Sequence, residues 1–319
     1  KSSGSFSGYG CFGMRCSILL YLVQQKGGIG MSVQSNKEDK IKKTKHKKTP
    51  GFLLAMTILV ILAFVSLFPI ALVLLNSLKT HAEILQNPLS LPKKISLENF
   101  AYTWKIGQFG EGFINSIKVT GTAIIVGVFA STTMGYVLAT RRVKTWKVLT
   151  LYFMIATTVP LQMFMLPLYS TFTNLRLIGN PYAVGAVIAA WNLPMPVFLM
   201  RTYFLKVPFE LEEAARVDGA STMKVFSKIV MPIVSPGIVT VSCIVGLFSW
   251  NEYLLSTTLL QNEKNFTVTL KYLCLNGTFS RDFSVIMAGA VIVVVPMLIV
   301  FLLLQNKFIE GMAGGAVKG

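Results

Sequence analysis

The sequence predicts an all-α protein that crosses a lipid bilayer six times. Hydrophobic residues make up 53% of the 319 residues and charged residues only 13%, whereas a soluble domain carries about 25% charged residues. The apolar residues are gathered into long runs, and about 20 helical residues are enough to cross the hydrocarbon core. Because the edges of an open sheet would stay unpaired in lipid, these runs are predicted to be helices.

Six apolar runs are long enough to span the bilayer, and polar segments separate them. They comprise residues 52–75, 113–140, 148–168, 183–203, 236–259 and 284–304. Prolines in the third, fourth and sixth spans are expected to bend those helices. Small residues are frequent in the second span, which favours close approach of helix backbones.

The distribution of Lys and Arg predicts the orientation of the spans. The lysine-rich segment 37–48, the turn "RRVKTWK" after the second span, the segment 206–235 and Lys307 all lie on one side if there are six spans. By the positive-inside rule this side is the cytoplasm. We therefore expect a multi-pass protein of the cell membrane with both termini in the cytoplasm.

Composition and motifs exclude several classes of function. The net charge of +17 is spread over short clusters between apolar runs, which indicates juxtamembrane cations rather than a nucleic-acid surface. The four cysteines and two histidines have no metal-binding or disulfide spacing. The sequence contains no nucleotide-binding loop and no recognisable catalytic motif. We therefore expect no metal or cofactor in this chain, no enzymatic activity and no ATP hydrolysis by the chain itself.

The beginning of the sequence differs from the rest. "QQKGGIG" immediately precedes Met31, and Lys-Gly-Gly is what a purine-rich ribosome-binding sequence encodes when it is read in frame. We interpret residues 1–30 as a translated leader that is not part of the mature protein, with a genuine short tail as the alternative. Residues 31–51 are then a basic cytoplasmic tail.

The segment between the fourth and fifth spans is the longest polar interruption in the second half of the chain. It contains "EEAARVDGASTMKVFSKIVMP" from Glu212 to Pro232. Pro208 suits the start of a helix, the following glutamates complement its positive end, and Gly219 ends it. Ser221 can cap a second helix that runs to Pro232. Two alanines leave one face of the first helix flat, so a partner surface can approach closely.

This segment resembles the EAA loop of the membrane-spanning subunits of ATP-binding-cassette importers. The residues that carry the resemblance are Glu213, Ala214, Ala215, Asp218, Gly219, Ala220, Phe226 and Pro232. "NSIKVT" at 115–120, "LPLY" at 166–169, "WNEYL" at 250–254 and the ending "GMAGGAVKG" are similar to MalG-like permeases of carbohydrate importers.

The resemblance implies a six-helix type I importer (MetI-like) fold. In that fold, residues 52–112 would form the first span and an extracellular segment. Residues 113–308 would form the permease core, with its coupling loop at 206–235, and residues 309–319 would form a cytoplasmic tail. The implied partners are a second, MalF-like permease, an ATPase dimer that binds ATP and magnesium, and an extracellular solute-binding protein that delivers a sugar. No nucleic acid is expected.

Two further groups of residues are candidates for function. Trp250, Asn251 and Glu252 are candidates for a pore, a gate or a substrate path, because an intramembrane carboxylate beside an amide indicates function. The alternative is packing near the headgroups. Residues 260–283 are predicted to form a loop on the outer face that is too long for a simple turn, and the resemblance implies that this loop contacts the binding protein. Its candidate contact residues are Asn262, Phe266, Tyr272 and Phe279, and the alternative is a lid over the last two spans.

Other classes of function remain as alternatives. A secondary active transporter usually needs ion-coupling carboxylates near the midplane and often has internal repeats. The sequence offers the off-centre Glu252 and no evident repeat. A membrane enzyme would need a nucleophile–base pair or a metal constellation, and the sequence predicts neither.

Overall fold

A computed structural model describes residues 50–140, 143–278 and 282–316, and side chains from 51 to 305 within these ranges. The leader 1–30, nearly all of the basic tail 31–51 and Phe279 lie outside the described residues. The chain divides into Lys1–Ile58 and Leu59–Gly319. The packing described below lies within the second unit.

The regular structure of the described ranges is helical. The helices are α1 (Pro50–Ser77), α2 (His81–Gln86), α3 (Glu98–Ile106), α4 (Phe109–Thr140), α5 (Trp146–Ala156), α6 (Met165–Asn174), α7 (Pro181–Asn192), α8 (Pro194–Phe204), α9 (Phe209–Val217), α10 (Thr222–Val225), α11 (Met231–Asn251), α12 (Leu254–Leu259), α13 (Val268–Thr278) and α14 (Phe283–Ala316). Single 3₁₀ turns cover Leu161–Phe164 and Glu263–Asn265, and a π-helical turn covers Phe226–Val230.

The helices account for the six predicted spans. Four continuous helical stretches are long and apolar enough to cross a membrane: Gly51–Ser77, Phe109–Thr140, Thr222–Asn251 and Phe283–Gln305. Two further pairs of helices are long and apolar enough when each pair is taken together, although each is bent at a short break. The bend angle is 96° between Trp146–Ala156 and Leu161–Asn174, and 61° between Pro181–Asn192 and Pro194–Phe204. If each bent pair is one span, the described residues contain six, and the predicted all-α polytopic fold is confirmed.

The prolines break two spans where the sequence predicts bends. Pro160 has the extended backbone angle ψ = 138° at the 96° break, and Pro194 opens α8 at the 61° break. Pro296 lies inside the continuous helix α14. The predicted fifth span, 236–259, is interrupted as well, because Glu252 is extended between α11 and α12.

Helix α4 lies at the centre of the fold and packs against α7, α8 and α11. Val119 and Val184 are fully buried at this core. Gly185 allows the closest approach, since a Cβ there would run into the backbone carbonyl of Val119. Small residues therefore bring α4 and α7 into backbone contact, as the composition of the second span predicts.

The segment 260–283 is not a simple loop. It contains α13, which packs against α4 and α14 and buries Val268, Leu270 and Leu275. Gly112 lets α13 approach, because a Cβ there would lie 3.0 Å from the Cα of Val268. The description as a loop is therefore wrong for residues 268–278, whose apolar residues form a helix once α4 and α14 cover them.

Candidate functional site

The segment between α8 and α11 begins with a short helix whose ends follow from the sequence. Pro208 precedes α9 with an extended backbone, and Glu210 and Glu212 lie in the first turn. The helix ends at Val217, and Gly219 has φ = +80°, a conformation that glycine adopts at little cost. The amides of Gly219 and Ala220 donate to the carbonyls of Arg216 and Ala215. The predicted glycine stop is confirmed.

The second half of the segment differs from the prediction. Ser221 caps α10 by accepting a hydrogen bond from the Lys224 amide, but the helix does not end at Pro232. It continues through the π-helical turn Phe226–Val230 directly into α11. A π turn relaxes the i→i−4 bonding that proline cannot make, so Pro232 fits into the first turn of α11.

One face of the segment is anchored in the core. Glu212 is 5% exposed, and its Oε2 accepts a hydrogen bond of 3.1 Å from the Tyr136 hydroxyl of α4. The Tyr136 ring packs at 4.9 Å from the Phe226 ring and at 5.4 Å from the Phe204 ring. Ala215 and Ala220 pack partly buried against the same core.

The opposite face is exposed. Val217 is 87% exposed and Met223 is 72% exposed. Glu213, Ala214 and Asp218 are exposed beside them. The predicted site residues therefore divide into an exposed group and a packed group that contains Ala215, Ala220 and Phe226. Pro232 is itself exposed at the start of α11.

The motif did not identify three important residues of this segment. Glu212 appeared only as one of several helix-start acids, although it is the carboxylate that faces inward. Its position, three residues before Ala215, places both on the same helical face. Val217 and Met223 could have been noticed as apolar residues among charges, but their exposure depends on how the turn at Gly219 folds.

Trp250, Asn251 and Glu252 lie where α11 ends. The Trp250 ring packs 5.8 Å from Phe113, and the Asn251 side chain is exposed and bonds to the Leu247 carbonyl of its own helix. The Glu252 carboxylate accepts hydrogen bonds from the amides of Leu255 (2.7 Å) and Ser256 (3.1 Å). Glu252 thus caps α12.

Hydrogen bonds hold the segment that precedes α13 against the first turns of α4. Nδ2 of the buried Asn115 donates to the carbonyls of Lys264 (2.6 Å) and Phe266 (3.2 Å). The Ser116 hydroxyl accepts a hydrogen bond from the Val268 amide. The "NSIKVT" motif therefore contributes the two side chains that hold this segment.

The described candidates for binding-protein contact have different environments. Asn262 is exposed and caps the 3₁₀ turn by accepting from the Lys264 amide. Phe266 is partly buried against the core. Tyr272 packs beside Gly289 of α14, and burial raises the pKa of its hydroxyl. Phe279 lies outside the described residues.

Polar residues line a cavity on this side, and a buried amine contacts two of them. A concavity of about 550 Å³ is lined by Gln108, Glu111, Gln261, Asn262, Glu263 and Lys264. Close to it, the buried Lys271 donates to Oε1 of Gln108 (2.6 Å) and lies 3.8 Å from Glu111. The described residues contain no cluster of three or more His, Cys, Asp or Glu side chains that could hold a metal ion.

Comparison with known proteins identifies the family. Residues 123–312 match the family of binding-protein-dependent transport system inner membrane components. The arabinooligosaccharides transport system permease protein AraQ of Halalkalibacterium halodurans is 30% identical over 280 residues, which are 86% of this chain and 100% of that protein. The melibiose/raffinose/stachyose import permease protein MelC of Bacillus subtilis is 31% identical over 261 residues, 81% of this chain and 94% of MelC.

A solved structure supports the same fold. A chain of a bacterial ABC transporter involved in the import of the acidic polysaccharide alginate superposes with a TM-score of 0.70 at 22% identity. The match covers 80% of this chain and 95% of that chain. The two chains therefore share a fold, the type I importer (MetI-like) transmembrane fold. The chain belongs to the family of binding-protein-dependent transport system inner membrane components and is a multi-pass permease subunit of an ATP-binding-cassette importer.

Proposed function

We propose that this chain forms half of the translocation pore for a sugar or oligosaccharide and works with a second permease, an ATPase dimer and an extracellular solute-binding protein. The names of its relatives support the substrate class. They include permeases for arabinooligosaccharides, for melibiose, raffinose and stachyose, and for starch degradation products. Membership of an ATP-driven family does not favour the alternative of a secondary active transporter.

The exposed face of α9 and α10 carries the coupling part of the proposal. Val217 and Met223 present apolar surface among charged side chains, and both precede the predicted fifth span, which begins at residue 236. Such a patch with a polar rim is typical of a protein interface. Glu212 bonds to Tyr136 of α4 and Ala215 packs against the same core, so a force on this patch would pass to the spans. We assign the patch to the ATPase, which binds the ATP and magnesium.

The coupling role is tested by the substitution Val217→Asp, which places a charge in the centre of the patch. Since Val217 is 87% exposed, the substitution leaves folding intact, and we expect loss of ATPase co-purification and of uptake. Lys144→Glu, an exposed charge reversal in the turn before α5, is the matched control and keeps both. Wild-type co-purification and uptake by Val217→Asp would refute the coupling role.

On the opposite side, the segment 260–278 is the proposed contact for the binding protein. Asn262 and the polar lining of the neighbouring concavity are available to a partner, whereas Phe266 and Tyr272 mainly support them. Asn262→Trp adds bulk at an exposed residue, and we expect it to reduce stimulation of the ATPase by the loaded binding protein while basal hydrolysis is unchanged. If the binding protein stimulates the variant as strongly as the parent protein, the segment is a lid and not a contact.

Of the three residues at the end of α11, Asn251 is the one whose side chain is exposed at the surface of the chain. Trp250 and Glu252 shape the interruption between α11 and α12. Non-helical backbone at membrane depth is tolerated where protein buries it or where it lines a water-filled cavity. We therefore place the solute path beside this interruption.

The proposed topology places α9 in the cytoplasm together with both termini of a cell-membrane protein. Residues 52–112 then form the first span and extracellular segment, 113–308 the core, and 309–319 a cytoplasmic tail. Epitope tags placed after Asn36 and after Gly319 test this assignment. We expect each tag to be accessible only from the cytoplasmic side. A tag reached from outside would contradict it.

Reconstitution tests both the substrate class and the half-pore model. The chain with its second permease, ATPase and binding protein is expected to take up an oligosaccharide and to show ATPase stimulation by saccharides only. The same mixture without the second permease is expected to take up nothing, because six spans with few polar residues cannot enclose a sugar alone. Stimulation by amino acids alone would overturn the substrate class, and uptake without the second permease would overturn the half-pore.

A further inference from the structure

A short segment between α2 and α3 exposes large apolar side chains outside the spans. Residues 89–97 read "LSLPKKISL". Leu91 is 75% exposed, Ile95 and Leu97 are each 68% exposed and Leu89 is 64% exposed. Proteins in water rarely expose so many neighbouring apolar side chains without a partner. The segment therefore needs an apolar environment that this part of the chain does not itself provide.

Both ends of the segment are fixed to the end of α1. Nζ of Lys79 donates to the carbonyls of Asn87 (3.3 Å) and Pro88 (3.1 Å). At the other end, the Ser96 amide donates to the Leu78 carbonyl (3.3 Å), and the Asn99 side chain donates to the Ser77 carbonyl (2.9 Å). Lys79 is fully buried, which is costly for an amine unless hydrogen bonds compensate it. The fold thus holds this segment at one fixed place.

That place is the boundary of the bilayer. The stretch Gly51–Ser77 is apolar on all sides, and no residue in its most apolar window is buried by the chain. A helix of this kind is surrounded by membrane. Because residues 77–79 lie at the end of α1, the attached segment begins where the span leaves the hydrocarbon. Its centre, Pro92, lies four residues from Pro88 and four from Ser96, so it reaches at most about 14 Å away.

The charges of the segment match a lipid surface. Lys93 and Lys94 are exposed and lie between the two pairs of apolar residues. Residues 89–97 contain no carboxylate. Two carboxylates flank the segment: Glu98 lies in the first turn of α3, and Glu83 is engaged in the capping box of α2, where it bonds to the Thr80 amide. Apolar side chains beside lysines are typical of segments that lie in the interface, with the amines at the phosphates.

We propose that residues 89–97 form an interfacial anchor. Leu89, Leu91, Ile95 and Leu97 insert into the leaflet on the side opposite α9, and Lys93 and Lys94 bind anionic lipid headgroups. Lys79 is the positioning residue that holds the anchor at the boundary. The anchor fixes the depth of the outer end of α1 and of α3, which packs on α14. This inference does not depend on the identity of the transported solute.

Spin labelling of the full chain, purified with its partner subunits in nanodiscs, tests the anchor. A label at Leu91→Cys in a cysteine-free background is compared with a label at Gln86→Cys, an exposed residue at the end of α2. We expect the Leu91 label to collide more with oxygen and less with a water-soluble nickel chelate than the Gln86 label does. Ile95→Cys serves as a second position if the first variant is not obtained.

Lipid composition tests the role of the lysines. Phosphatidylglycerol added to phosphatidylcholine nanodiscs is expected to move the Leu91 label deeper, and Lys93→Gln with Lys94→Gln is expected to abolish this shift. Equal nickel access at Leu91 and Gln86 would show a segment in water and overturn the anchor. An immobilised label that neither reagent reaches would show a protein partner and overturn it as well. A shift that survives in the lysine variant would overturn the headgroup assignment.

Discussion

The hydroxyl of Tyr136 and the carboxylate of Glu212 form a buried hydrogen bond of 3.1 Å that joins α4 to α9. The two residues are 76 positions apart in the sequence, and Glu212 belongs to the same helix as the exposed Val217. Tyr136 also contacts the rings of Phe204 and Phe226. The coupling segment is therefore attached to the central helix of the fold by a polar contact within an aromatic cluster.

Tyr136→Phe removes this hydrogen bond and keeps the ring packing. A hydrogen bond to a charged group contributes about 1.5–3 kcal/mol, so we expect a lower melting temperature and weaker coupling of ATP hydrolysis to uptake. Glu213→Gln removes the negative charge of the exposed neighbour of Glu212. It is the control for the loss of a carboxylate from this helix and should leave the melting temperature unchanged. Identical melting curves for Tyr136→Phe and the parent would contradict the contact.

Asn115→Asp is expected to release the segment that precedes α13. The substitution replaces an amide donor by a carboxylate that faces the carbonyls of Lys264 and Phe266, so it both removes the hydrogen bonds and introduces repulsion. Each buried group left without a partner costs about 1–3 kcal/mol. Hydrogen exchange of residues 261–268 should become faster.

Asn251→Asp is the matched control for Asn115→Asp, because the Asn251 side chain bonds only within its own helix among the contacts described for it. It should leave exchange in residues 261–268 unchanged. If both variants accelerate exchange there equally, Asn115 has no specific role in holding the segment.

Glu252 offers a distinction between capping and solute contact. Glu252→Ala removes the cap of α12, which typically costs about 0.5–2 kcal/mol, whereas Glu252→Gln keeps one oxygen that can accept from the amides of Leu255 or Ser256. If Glu252 acts as a cap, the Gln variant transports nearly normally and the Ala variant loses stability. A Gln variant with normal stability and a strongly raised KM for the solute would instead indicate direct contact.

The pH dependence of alkylation reports the surroundings of Cys274. Burial raises the pKa of this thiol, the Glu263 carboxylate raises it further, and Lys271 lowers it. A raised pKa leaves less thiolate at neutral pH, so maleimide should react more slowly than with a free cysteine and accelerate at higher pH. Glu263→Gln removes one raising influence and should move the rate profile to lower pH.

The control for the Cys274 measurement is Glu98→Gln, an exposed carboxyl that is not a cause of the raised pKa. Both variants are measured with Cys274 as the sole cysteine. Equal profiles for Glu263→Gln, Glu98→Gln and the parent would show that Glu263 does not act on the thiol.

Apolar run length predicts the spans well because lipid allows few backbone structures. The breaks at Pro160 and Pro194 follow from proline chemistry, and the stop at Gly219 follows from its tolerance of positive φ. The inward position of Glu212 and the role of Asn115 could not be predicted in this way, since each depends on a partner far along the chain. Helix α13 was missed because its helical character depends on coverage by α4 and α14.

The contact between Gly185 and the backbone at Val119 constrains how a transport cycle can proceed. Because α4 and α7 touch without intervening side chains, they cannot slide past each other without a clash, and they should move as one rigid body. Helix α8 is held on α4 in the same way, because a Cβ at Gly135 would lie 3.0 Å from the backbone nitrogen of Arg201. Displacement of α9 would accordingly move α4, α7 and α8 together, and the 61° bend of the fourth span would be kept through the cycle.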